Sequence, residues 1–143
     1  MLKKKFIKEP IYKTEVMFLG NCDYKQMAEV IRKRGYDIDE EYFKDSDGAQ
    51  LNFIDKENGI RIVWFESLKK DADSIGVAVH EIFHLVVRIL DWKGIIITPE
   101  KNLDEVGAYL IEYYFREFYK FLYEKPKLQK TIRKNLAGKK TRR

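Results

Sequence analysis

The residues of this chain best suited to chemistry are His80, Glu81 and His84, in the run Val79-His80-Glu81-Ile82-Phe83-His84-Leu85, and they include both of its histidines. The pattern is HExxH. On a helix, residues four apart share a face with Cβ atoms about 5–6 Å apart, so two imidazoles can hold one metal ion. Glu81 is rotated about 100° from His80 and can reach a water on that ion without being a ligand. This is the donor set of a zinc hydrolase, in which the ion acidifies its water and the glutamate takes the proton. Without a metal, the same residues would be two core histidines bonded to backbone carbonyls and a glutamate in an ion pair.

Two histidines leave the ion short of the three protein ligands that catalytic zinc usually has. Val87 stands three residues past His84, so the longer HExxHxxGxxH pattern is excluded. A carboxylate from the next helix is the remaining route, with Asp91, Glu100, Asp104, Glu105, Glu112 and Glu117 as candidates. Glu105 comes first and Asp104 second. Glu105 lies 21 residues beyond His84, enough for a turn and a returning helix, and Gly107 and Ala108 would let the two helices approach closely. The same Asn102-x-x-Glu105 spacing also forms a capping box, in which Glu105 would bond only the Asn102 amide.

These residues need elements to position them. Apolar periodicity and turn residues predict a strand over residues 14–19 and a helix over 24–34 that stops at Gly35. Two further strands, 49–54 and 60–65, flank an Asn58-Gly59 hairpin signal. The motif helix spans about 74–91, capped by Asp71 or Asp73 and ended by Lys93-Gly94. It is apolar nearly all round, which predicts a buried central helix whose polar residues would need partners. A second long helix covers about 103–123, with Leu103, Val106, Leu110, Tyr114, Phe118 and Phe121 as its apolar stripe.

The chain has 45% hydrophobic residues, including nine Tyr, nine Phe and two Trp, enough for a single packed domain over 1–124. The lone Cys22 suits a reducing cytoplasm and reads as a packed residue rather than a nucleophile. Met1 to Lys5 resembles a signal-peptide start, but Lys8, Glu9 and Pro10 interrupt any apolar run, and no stretch reads as a membrane span. The net charge of +5 is unevenly placed. Residues 125–143 hold nine Lys/Arg and no acid, leaving 19 of the 28 basic residues against all 23 acidic ones in 1–124. That tail is either a solvated extension or a contact for nucleic acid or another acidic partner.

The run His80 to His84 leads into Arg88-Ile89-Leu90-Asp91 and Gly94-Ile95, then Asp104-Glu105 and Ala108-Tyr109-Leu110. Over residues 60–118 this resembles the gluzincin group of zincin metallopeptidases, and more narrowly small phage-borne zincin-like metallopeptidases. The resemblance implies zinc on His80, His84 and Glu105, with Glu81 as the catalytic acid/base. Tyr109 occupies the position where larger gluzincins carry an aspartate, leaving Tyr109 or Asp91 to support His80. Tyr109, one turn past Glu105, is also the candidate donor to a tetrahedral oxyanion, with plain packing as its other role. In zincins an edge strand pairs with the substrate backbone, and residues 60–65 are the candidate. The expectation is an α+β, zincin-like fold: a small mixed or antiparallel sheet against the motif helix and a second long helix. It would hydrolyse peptide bonds with one zinc. The alternative is a catalytically silent zincin-like accessory protein that binds nucleic acid or a protein through its tail.

Overall fold

The computed structural model describes residues 1–53, 59–96 and 104–125, with the side chain of Asp104 left out. The fold is α+β. Four strands, β1 (Lys3–Lys8), β2 (Glu15–Gly20), β3 (Gly48–Phe53) and β4 (Ile60–Phe65), form one mixed sheet in the order β1-β2-β4-β3. β1 runs antiparallel to β2, β2 parallel to β4, and β3 antiparallel to β4 with Phe53 opposite Ile60; Asn58 of the hairpin signal lies in 54–58, outside the described residues. Helix α1 (Tyr24–Arg32) covers one face of the sheet, while α2 (Ala72–Trp92) and α3 (Asp104–Tyr123) cover the other. No helix among the described residues is long and apolar enough to cross a membrane.

β4 shows why two cores form. Its side chains alternate between faces. Ile60, Ile62 and Trp64 join Met27, Val30 and Ile31 of α1, while Val63 and Phe65 join Ile82, Leu85 and Phe118 on the other side. All six β4 residues are buried. Trp64 donates its indole N–H to the Cys22 carbonyl at 2.8 Å, which a buried indole needs. Cys22 packs beside it, and burial pushes its thiol up to about 11, so it is inert at neutral pH.

Helix ends follow local chemistry. Asp23 and Gln26 form a reciprocal capping box at the start of α1. Asp71 accepts from the Ser74 amide at 2.9 Å at the start of α2. At the other end of α2, Gly94 takes φ +68° and its amide bonds the Asp91 carbonyl, a left-handed stop that favours glycine. In α3, Leu110, Tyr114, Phe118 and Phe121 recur every three or four residues and are buried, as the stripe predicts.

Three findings differ from the sequence reading. β1 was not expected, because only Ile7 of its six residues is buried. Tertiary contacts hold it. Lys5 pairs with Glu117 and Glu124, and Lys3 donates to the Glu124 carbonyl at the end of α3 at 2.7 Å. Second, 60–65 is not an edge strand: β4 lies between β2 and β3, and its backbone is engaged on both sides. Its continuous apolar run marks an interior strand, and the free edge beside the motif helix is β3. Third, α2 is not buried all round. Val79, Phe83 and Val87 are exposed on its outer side, because sheet and α3 cover only the inner one. The basic segment from 126 onward lies outside the described residues.

Candidate metal and hydrolytic site

The site forms where α2 crosses β3. Gly48 makes that approach possible. A Cβ there would stand 2.8 Å from Val77 Cγ1, 2.9 Å from the Trp64 carbonyl oxygen and 3.4 Å from Glu81 Cγ. With no side chain at 48, the helix settles against the strand and carries Glu81 between them, where it is 9% exposed. His80 and His84 project from the exposed side of the same two turns.

The two imidazoles converge. Their Nε2 atoms are 3.1 Å apart, with ring centroids 4.6 Å apart and planes at 80°. Two nitrogens each 2.0–2.1 Å from one tetrahedral zinc would be about 3.3–3.4 Å apart, so the pair fits a shared ion almost without movement. An N–H···N bond between neutral rings explains the same distance when no metal is bound. Because both rings are exposed, the desolvation argument made for a buried helix applies to Glu81 alone. Burial raises its carboxyl above the usual range, while the two imidazoles and the Gln50 backbone N–H act in the opposite direction. A carboxyl raised in this way holds a proton more readily than an exposed one, a property that a general base can use.

Glu81 lines two cavities. One, of about 490 Å³, also includes His84, Arg88 and Trp92 of α2 and Gln50 and Asn52 of β3. The other, of about 440 Å³, includes His80 and Gly76 with Ser46, Asp47 and Gly48. The two histidines and Glu81 therefore lie along a groove whose second wall is an antiparallel edge strand.

The remaining sequence candidates fall as follows. Among the described residues, no group of three or more His, Cys, Asp or Glu side chains is placed to hold a metal ion. Glu105 is exposed in the first turn of α3 and is not gathered with the histidine pair. Glu100 and the Asp104 side chain lie outside the described residues. Glu112 pairs with Arg116, and Glu117 with Lys5 and Lys120, so both are engaged elsewhere. Asp91 is exposed on the wall of the larger cavity. Tyr109 is half-buried, packs against the α2–α3 core, stacks on Tyr113 with centroids 6.3 Å apart, and lines neither cavity.

Gln50, Asn52, Arg88 and Trp92 were not singled out from the sequence. The signal for the first two was present: amides alternate with Leu51 along β3, which marks a strand with one open face. Arg88 follows His84 by one turn and so had to share its face. No family model, no curated protein and no solved structure matches the chain.

Proposed function

We propose that the chain is a zincin-like zinc peptidase whose substrate lies in the groove between α2 and β3. The observation that carries this reading is the position of Glu81: it is buried beside two convergent imidazoles and faces a free strand edge. A histidine pair alone suits many metal sites. A buried carboxylate between such a pair and an open strand suits hydrolysis of an extended peptide.

His80 and His84 would hold the ion through Nε2. Zinc in such a site supplies Lewis acidity, polarising a carbonyl and making water more acidic. Glu81 takes the proton from the attacking water and passes it to the departing amide nitrogen, so one carboxyl serves as base and then acid. The backbone of β3 supplies N–H and C=O groups that hold the substrate extended, and its side chains at 50 and 52 line the binding wall. Glu105, with Asp104 as the second candidate, is the proposed third ligand; the described residues do not gather it with the histidine pair, so it would have to approach them when the ion binds. Tyr109 is engaged in packing on Tyr113, and the mechanism gives it no step.

A mixture of generic peptides incubated with zinc-loaded protein tests this reading. Internal or terminal cleavage that a zinc chelator stops and added zinc restores is expected. Cleavage indifferent to the chelator, or none at stoichiometric protein, contradicts it.

A further inference from the structure

Arg61 is the one residue of β4 whose chemistry does not suit its place. It is 4% exposed, and its Nε and Nη2 are buried with no hydrogen-bond partner among the described residues. A guanidinium carries five N–H donors and keeps its charge, so burying one without an acceptor is strongly unfavourable. No carboxylate among the described residues pairs with it. Instead it lies against the indole of Trp92, 4.9 Å from the ring centroid.

Its neighbours carry the same imbalance. Thr14, two residues before Arg61's β2 neighbour Val16, buries an unpartnered hydroxyl, and so does Tyr114 of α3. Burial raises the Tyr114 hydroxyl, and the charge of Arg61 draws it back, so the two groups sense each other. Arg61 itself does not line the larger cavity, but two residues beside it do. Asn52, paired with Arg61 across the strands, and Trp92, stacked on it, both line that cavity. Arg88 lines it too and has no ion pair among the described residues, and Lys93 stands 4.4 Å from the Trp92 centroid. Arg88 is the cation on the cavity wall, beside the acids Asp91 and Glu81, and Arg61 and Lys93 add positive charge against the Trp92 ring.

We propose that this end of the groove is a carboxylate subsite, with Arg61 behind Trp92 as its buried anchor and Arg88 as its exposed one. The proposal rests on the peptidase reading for the identity of the ligand, a substrate carboxylate. It also sets the spacing. Asn52 lies two residues along β3 from Gln50, whose amide faces Glu81, and a strand advances about 3.3 Å per residue. The anion therefore sits about 7 Å from the reacting bond, or one to two substrate residues away. A free C-terminus or an acidic side chain at that position satisfies it. Trp92, which lies over Arg61, is 54% exposed, and its ring must move for the guanidinium to reach the ligand.

The test uses the full chain carrying Glu81→Gln, so that nothing is cleaved, and reads tryptophan fluorescence during titration with N-acetyl-trialanine as free acid and as amide. The acid is expected to bind at least about 10-fold more tightly, the worth of one charge-assisted contact. An amidated peptide ending in aspartate that binds like the acid assigns the site to side chains; one that binds like the trialanine amide assigns it to chain ends. Adding Arg61→Met should abolish the preference without lowering Tm, since a buried charge gives way to an apolar chain of similar length. If Arg61→Met does not fold, Arg88→Gln, at an exposed position, decides: it should weaken the preference. Equal binding of acid and amide, binding of neither, or full preference in Arg88→Gln overturns the proposal. So does an Arg61→Met protein that folds and keeps the preference. A carboxylate preference in a protein that cleaves nothing leaves the subsite standing and removes the peptidase reading. Cleavage indifferent to the carboxylate does the reverse.

Discussion

Replacing Glu81 by glutamine should lower peptide hydrolysis by about 10²- to 10⁴-fold, the usual contribution of a positioned general base, while leaving bound zinc unchanged. The amide has nearly the shape of the carboxylate but cannot accept the proton of water at neutral pH. Glu81 lies between α2 and β3, and the histidines that would hold the ion are on the exposed side of the helix, so the substitution leaves their geometry intact. The same change should not lower Tm in the metal-free protein. Burial already disfavours the charged form of Glu81, as its raised carboxyl shows, and a neutral amide avoids that penalty. A loss of activity with full zinc content and undiminished Tm separates a catalytic role from a structural one. Steady-state hydrolysis, metal analysis and thermal unfolding on one preparation supply all three. A fully active Glu81→Gln protein would mean that some other group moves the proton.

Gly48→Ala should be the most damaging single-methyl change near the site. Its new Cβ would lie 2.8 Å from Val77 Cγ1 and 2.9 Å from the Trp64 carbonyl oxygen, closer than real Cβ atoms come. Overpacking of this kind costs about 1–3 kcal/mol, and the relief available is for α2 to move away from β3. Such a movement opens the groove and withdraws Glu81 from the Gln50 amide. The expected result is a lowered Tm together with reduced hydrolysis, with zinc retained because both histidines sit on α2 and move together. Adding Val77→Ala should restore part of the loss. The restoration is incomplete because the Trp64 carbonyl belongs to the sheet backbone and cannot yield. Unchanged stability in Gly48→Ala would show that the helix–strand contact is looser than the structure has it.

Much of the fold was legible where a single physical signal ruled. The HExxH helix announced itself by caps at Asp71 and Gly94 around an apolar run, and the structure places α2 within two residues of that reading. The antiparallel pairing of β3 with β4 was legible in two alternating segments close in sequence, and α3 in its apolar stripe. The misreadings share a cause, which is that burial is decided by neighbours distant in sequence. Read locally, β4 is an edge candidate because it directly precedes the motif helix, yet β2, some 45 residues earlier, pairs with its other side. β1 has one buried residue and many lysines, so nothing local marks it as a strand. Its partners are β2 and the end of α3.

The site divides in the same way. His80, Glu81 and His84 are brought together by one helix, and short-range geometry was enough to find them. The ligand expected from α3 depends on how a separate helix begins, which periodicity does not determine. Arg61 could have been noticed as a charge within Ile60-Arg61-Ile62-Val63-Trp64-Phe65, but its meaning depends on Trp92 and Tyr114, brought to it only by folding.

The central claim is that His80 and His84 share one zinc. Metal analysis of the full chain after zinc loading and removal of free ion tests it most directly, with His80→Ala and His84→Ala measured alongside. About one zinc per chain in the wild type and none in either variant is the predicted result. A folded wild-type protein without zinc, or a His84→Ala protein that retains it, would contradict the account.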